Sequence, residues 1–376
     1  MMNRRIPYDE GLIVIVLALL GFGLIMVFSA STVVSAELYG SQTWIFTRQL
    51  LFVILGLVTL MVSMKIDYHF YERRSVIYSL LTLSLLLLVF LLVVPGSSGV
   101  QRWIRFGPAN FQPSELAKLA VILFSSFYLA TRKEELHSFK QGVLPYLAVV
   151  GTVVFLVLIE PDLGTAASIA LTAGFLLFLG GVRYRYLLGL LLAVIPALYF
   201  LVVLVPYRLN RILAFLYPER DPYGIGYQIR QSLIAVGSGG WNGLGYAQGK
   251  QKLFFLPEPH TDFIYAVVGE EFGFLGCLTV LVLFGLLFWR GTRIAVRAES
   301  AFGTYLGLGI ACMIVFQAFV NMSMVISLLP TKGLPLPFIS MGGSSMIMTM
   351  AAVGILLNIS RQGRGAVLRD IKLSDQ

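Results

Sequence analysis

Charge is what this chain has least of. Asp, Glu, Lys and Arg make up 12% of its 376 residues, hydrophobic residues make up 57%, and mean hydropathy is +0.84. An ordinary soluble domain carries roughly 25% charged residues, so a soluble globular fold is excluded. Cysteine is nearly absent. Cys277 and Cys312 both fall in apolar runs, which excludes a disulfide framework and fits simple packing. Histidine is also scarce: His69, His137 and His260 lie far apart, with no spacing suited to zinc, so no metal site is expected from ligand clusters. No glycine-rich phosphate loop follows a strand, and no Gly-x-Ser-x-Gly elbow is present. The formal net charge of +9 has no soluble basic stripe with interleaved aromatics behind it, so no nucleic acid partner is expected.

What the chain has instead is long apolar runs. A bilayer core needs about 20 apolar residues per helical span, and unbroken runs point to helices, not to a barrel of alternating strands. The sequence predicts an all-α polytopic membrane protein forming one domain over 1–376, with ten transmembrane helices near 11–31, 45–64, 75–95, 114–131, 142–160, 163–182, 186–206, 263–289, 302–328 and 341–359. The first run is too long for a signal-peptide core and reads as a retained span. Lys and Arg concentrate in alternate connections: Arg4 and Arg5, Lys65 with Arg73 and Arg74, Arg132 with Lys133 and Lys140, Arg183 and Arg185, Arg290 with Arg293 and Arg297, and the tail beyond Arg361. By the positive-inside rule both termini are cytoplasmic.

The opposite, outer connections carry the irregular sequence. Segment 96–113 has turn signals and two arginines around Trp103. Segment 207–262, between spans seven and eight, is the longest, and a structureless loop of that length is a functional candidate. Ile229, Leu233 and Val236 stand at helical spacing in it and predict a short amphipathic helix lying at the outer interface. GSGGWNGLGYAQGK follows as flexible turns. Segment 329–345 is dense in Pro and Gly between two apolar runs; such backbone is tolerated at membrane depth only where buried in protein or lining a cavity.

Ionisable residues inside spans are functional candidates. Glu115 and Lys118 are three apart on one helical face, either a structural pair or a cavity wall with Lys118 facing an anionic substrate. Glu270 and Glu271 read either as packing acids or as direct participants, and Gly269 and Gly273 as permitting close helix approach. Asp262 stands before span eight. Alone it is a fair N-cap. Yet Arg48, Arg102, Arg105, Arg208, Arg211, Lys250 and Lys252 fall on the same outer side. A carboxylate that takes a proton from a hydroxyl, beside cations that stabilise a phosphate leaving group, suits chemistry on an anionic lipid-linked substrate.

LPEPHTDFIYAVVGEEFG, LPTKGLPLPFISMGGSS, FQPSELAKLA, EPDLGTA and YQIRQSLIAVGSGGWNGLGYAQGKQK together resemble the SEDS family (shape, elongation, division and sporulation proteins) over essentially the whole chain. The LPTKGLPLPFIS and GLGYAQGKQKLFFLPEPHTDF words resemble its division branch more than its elongation branch, with sporulation members similar. Met341 departs from the tyrosine usual before the paired glycines, which gives that position no chemical role here. The resemblance implies a peptidoglycan glycosyltransferase that polymerises lipid II with inversion at the outer face of the bacterial cytoplasmic membrane, at the division septum. It implies Asp262 as general base and Glu115 and Lys118 as cavity residues. Arg48, Arg102, Arg105, Arg208, Arg211, Lys250 and His260 become substrate-contact candidates. A divalent cation could assist the leaving group, although no ligand cluster predicts one. Implied partners are a class B penicillin-binding transpeptidase and division regulators such as the FtsQ, FtsL and FtsB proteins. Two other readings stay open: a lipid II flippase, and a non-catalytic scaffold for the transpeptidase.

Overall fold

A computed structural model describes residues 8–93, 102–106, 109–221 and 224–374. The chain runs α1 (Glu10–Tyr39), α2 (Trp44–Lys65), a short α3 (Tyr68–Tyr71) and α4 (Arg74–Val93). A small antiparallel hairpin follows, β1 (Ile104–Phe106) with β2 (Ala109–Phe111), then α5 (Pro113–Thr131), α6 (Leu144–Ile159), α7 (Leu163–Leu179) and α8 (Tyr184–Val203). The rest is α9 (Pro206–Leu216), α10 (Ile225–Ser238), α11 (Ile264–Val296), α12 (Ala301–Val325) and α13 (Gly343–Ser374). Every one of the ten expected spans has its helix. Among the described residues eight helices are long and apolar enough to cross a membrane, while α7 and the apolar part of α8, Tyr184–Pro196, are shorter.

Local chemistry sets the helix ends. The Asp9 carboxylate accepts from the Leu12 amide and caps α1, which stops at Gly40 in the left-handed region at φ 66°. Pro113 opens α5, where its missing N–H costs nothing. Ser300 caps α12 through the Gly303 amide. The most apolar-buried spans are α5, α12 and the first part of α13, with 72%, 72% and 78% of their spanning windows buried, against 22% for α2. Those three therefore form the centre. One core packs α1, α11, α12 and α13 together; a second packs α4 to α7. The helices alternate in direction, so 40–43, 102–106, 109–112, 160–162, 204–221, 224–263 and 326–342 gather at one end, called here the site end.

Three expectations about segment 207–262 are corrected. The sequence ends span seven at 206 and treats 207–216 as loop, but Pro206–Leu216 forms the separate amphipathic helix α9. The second correction concerns which side of α10 is buried: the helix forms as expected and keeps an exposed face that includes Leu233 and Ile234. It packs against α11 and α12, and its buried stripe is Gly226, Ile229, Ser232 and Ala235. The small Ser and Ala side chains let the helices meet closely, and Ser232 donates to the Val325 carbonyl at 2.7 Å.

The third correction is that 239–251 is not a set of flexible turns. It is wedged into α11, which is broken at Gly273 (φ 64°, ψ −158°). In an unbroken helix the amides of Phe274 and Leu275 would bond the carbonyls of Glu270 and Glu271. Here Phe274 and Leu275 donate to Gly240 and Trp241 at 2.8 and 3.2 Å, while Glu270 and Glu271 accept from Leu244 and Gly245 at 3.0 and 3.1 Å. The inserted turn takes over both severed bonds. Gly273 thus serves a break and a close approach to Trp241–Gly243, where a Cβ would clash with backbone. Gly269 does permit close packing, against Val236 of α10.

Candidate functional site

At the site end a cavity of about 230 Å³ opens between the start of α7, α9 and the segment after α12. Arg102, Arg208, Arg211 and Lys332 line it, with Asp162 and Gly333. Arg102 donates to the carbonyls of Glu160 and Pro161 at 3.1 and 3.0 Å. Arg208 donates to the Leu158 carbonyl at 2.8 Å, and Arg211 to the Thr331 carbonyl at 3.1 Å. Leu158, Glu160 and Pro161 lie at the C-terminal end of α6, where carbonyls lack helical donors and carry partial negative charge. The carbonyls orient the guanidinium groups, and the cavity lining carries four cationic side chains beside the one carboxylate of Asp162. No described residue accepts a hydrogen bond from the Lys332 ammonium. Burial, then neighbouring Arg211, pulls its pKa below the usual lysine range.

Asp162 adds little to this chemistry. Its carboxylate caps α7 through the Thr165 amide (3.0 Å) and also accepts from Thr165 Oγ1 (2.8 Å) and Gln112 Nε2 (2.9 Å). Asp262 is the contrast. The α11 N-cap position is Phe263, with no side-chain cap bond, so Asp262 is not the cap of that helix. Its backbone is pinned all the same. His260 O accepts from the Met341 amide (3.0 Å), Thr261 O from Ser340 Oγ (2.6 Å) and Asp262 O from Asn321 Nδ2 (2.9 Å). Asn321 also holds Leu334 O at 2.6 Å, tying this corner to the 330–342 segment. The carboxylate itself accepts from no described residue. It faces Gly333 in the cavity wall, where a Cβ would stand 3.2 Å from its Oδ2. Removal from water, reinforced by Glu258 and Asp162 and opposed by Arg211 and Arg102, raises its pKa to about 7.

The other expected residues separate. Arg102, Arg208 and Arg211 come together at the cavity. His260 is two residues from Asp262 and buried, with Nε2 3.9 Å from Glu258; burial lowers its pKa. Lys118 and Glu115 do pair, at 2.9 Å and each with a side chain 2% exposed, but away from this cavity. Lys118 also donates to Gln317 Oε1 at 2.7 Å and lines a crevice too narrow for water. Arg48 stacks over Trp44 and Phe52 and does not line the cavity. Lys250 points outward, its backbone amide bonded to Glu270 at 2.6 Å. The Arg105 side chain lies outside what the structure describes. Lys332, Asn321 and Ser340 were missed. Lys332 stood within a quoted motif at the outer face, and that position was its available signal; the two pinning residues gave none. Among the described residues no group of three His, Cys, Asp or Glu is placed to hold a metal ion.

The fold and site define a multi-pass helical membrane protein with, at one end, a cationic cavity and a carboxylate that no described residue bonds. The cell cycle protein family model covering FtsW, RodA and SpoVE matches residues 10–365, and the chain belongs to that family. A protein of Geobacter sp. (strain M18), named probable peptidoglycan glycosyltransferase FtsW, is 43% identical over 97% of this chain and 100% of its own. Stage V sporulation protein E of Bacillus subtilis is 39% identical over 97% of this chain and 100% of its own. Among solved structures, a chain of a peptidoglycan synthase complex coordinating polymerisation and crosslinking superposes with a TM-score of 0.78 at 31% identity, over 95% of this chain and 98% of that one. The rod shape determining protein RodA of Thermus thermophilus gives 0.70 at 29% identity, over 94% and 97%.

Proposed function

We propose that this chain is a peptidoglycan glycosyltransferase that polymerises lipid II during cell division, with ten spans, both termini cytoplasmic and the site end outside the cytoplasmic membrane. The observation that carries the reading is the Asp262 carboxylate, which accepts from no donor among the described residues, beside a cavity walled by Arg102, Arg208, Arg211 and Lys332. The 4-hydroxyl oxygen of one GlcNAc attacks C1 of a MurNAc, and its proton passes to Asp262. The C1–oxygen bond to phosphate breaks, and the electron pair leaves with the undecaprenyl pyrophosphate. Attack opposite the leaving group turns the α-linked donor into a β-linked polymer in one displacement, needing one base and no covalent sugar intermediate. The cavity cations stabilise the pyrophosphate as it separates. A flippase would need charge available at depth, whereas Lys118 and Glu115 are satisfied by each other and by Gln317. The partner is a class B penicillin-binding transpeptidase, supported by the likeness to a polymerising and crosslinking complex.

The test is glycan formation from purified lipid II by the purified chain, with and without that transpeptidase. Absence of polymer in both sinks the reading. Orientation is tested separately: cysteines placed at Arg220 and Ser374 should label from opposite faces, and labelling from one face overturns it.

A further inference from the structure

Glu270 and Glu271 lie 1% exposed inside α11, just before its break. Neither faces the cavity. Glu271 accepts from Lys252 Nζ (2.6 Å), Ser29 Oγ (2.6 Å) and the Ala247 amide (3.1 Å); Lys252 Nζ also donates to Ser29 Oγ at 2.7 Å. Glu270 accepts from the amides of Lys250 (2.6 Å) and Gln251 (3.1 Å). Ser29 lies ten residues before the end of α1, about 15 Å along the helix at 1.5 Å per residue. The chain therefore dips from the site end to this depth and returns, and the ion pair ties the returning segment of the dip to α1 and α11. From there the segment from Lys252 climbs to Asp262, where Ser340, Asn321 and Met341 grip it.

We propose that Lys252 and Glu271, bridged by Ser29, are positioning residues for Asp262. They anchor the lower end of the 252–262 segment, and the 330–342 segment anchors the upper end. Asp262 precedes the short arm of α11, Ile264–Phe272, which Gly273 separates from the rest of the helix. That arm lacks the stiffness of continuous helical bonds through the break. Its placement depends on the wedged turn, and the buried pair locks the turn to α1. Lys252 belongs to the outer cations read from the sequence, yet its side chain is 6% exposed and aimed at Glu271, away from any anion in the cavity. It acts through geometry, without touching substrate. This inference rests on the glycosyltransferase reading for the role of Asp262.

The experiment uses the full chain, purified with its transpeptidase, as wild type, Lys252→Met and Lys252→Arg. Three quantities are read: kcat and KM for lipid II polymerisation per folded molecule, melting temperature, and a spin-label distance. The labels are placed by Leu38→Cys on α1 and Phe255→Cys on the climbing segment, both exposed positions; the native cysteines are buried. A misplacement of about 1 Å can cost about 100-fold in rate. Lys252→Met should therefore lower kcat by about 10- to 100-fold at unchanged KM, with a shifted or broadened label distance, and Lys252→Arg should restore both. Wild-type kcat in Lys252→Met overturns the proposal, whatever the melting temperature does. So does lost kcat with an unchanged distance. A raised KM alone makes Lys252 a substrate contact and also overturns it. If Lys252→Met does not fold, Lys252→Met with Glu271→Gln removes the pair without leaving a buried charge, and carries the same readouts. The distance needs no activity: a wild type that makes no glycan fails the enzymatic reading, while an unchanged distance on loss of the pair fails this one.

Discussion

Asp262 and Glu271 are nine residues apart at the same end of the same helix, and the fold treats them in opposite ways. Glu271 meets an ammonium, a hydroxyl and a backbone amide. Asp262 meets no donor from the described residues and faces a glycine. The cations repeat the contrast: Lys118 has two side-chain acceptors, whereas Lys332 in the cavity has none among the described residues. A charge matched by partners during folding holds structure, because its interaction free energy is already realised. A charge left unmatched in a partly dry cavity can still gain from meeting a substrate or proton, and that difference favours binding or chemistry.

The contrast can be broken at either end. The largest effect is expected at a matched pair. Lys118→Met leaves Glu115 buried and alone, and should cost about 3–5 kcal/mol, seen as a large fall in melting temperature; Glu115→Leu with Lys118→Met should cost far less. A single variant as stable as wild type would show that the pair is not closed. Next comes the unmatched acid. Asp262→Asn should lower polymerisation by at least about 100-fold with little change in melting temperature, since the carboxylate neither caps α11 nor accepts a hydrogen bond from the described residues. Near-normal polymer yield would remove it as the base.

A smaller effect is expected from pH. A base must be ionised, and the Asp262 pKa is raised to about 7. Polymerisation should therefore fall about tenfold per unit below pH 7 and level off above it. The charges facing it are Glu258, Asp162, Arg211 and Arg102, with His260 and Lys332 nearby. The stability term has the opposite sign. The folded state holds a proton that the unfolded state releases above about pH 4, so this group favours folding less as pH rises from 4 to 7. Glu160, buried and also raised, to about 8, is the rival source of the limb. The limb should survive Glu160→Gln, and a flat profile in that variant would reassign it. Least of all should change in Lys250→Ala, whose side chain points outward: within roughly 0.5 kcal/mol, about twofold in rate. A tenfold loss would return Lys250 to the cavity.

The spans were legible because apolar length is a one-dimensional property, as at Ala301–Val325. Asp262 stood out because acid groups are rare beside an apolar run. The fate of each charge was not legible. Lys252 and Lys250 look alike in sequence, yet one is buried against Glu271 and the other is exposed, because only the dip of the 239–251 turn decides which side chain meets α1. Gly273 could be read as a packing glycine, since small residues serve helix contacts and breaks equally well. The orientation of Arg102 and Arg208 by carbonyls at the end of α6 involves backbone groups, which carry no residue-specific signal.

The turn that fills the break in α11 also bears on how the chain enters its membrane. Four backbone groups, the carbonyls of Glu270 and Glu271 and the amides of Phe274 and Leu275, have their partners in residues 240–245. Exposed to hydrocarbon, each unsatisfied group would cost several kcal/mol. During biosynthesis residues 240–245 are made before α11, so the partners are already present when the broken helix emerges. The segment must be held near the insertion site until α11 arrives. Severing the chain between Gly245 and Ile264 would separate the synthesis of α11 from its hydrogen-bond partners, and that span would have to insert with its break open.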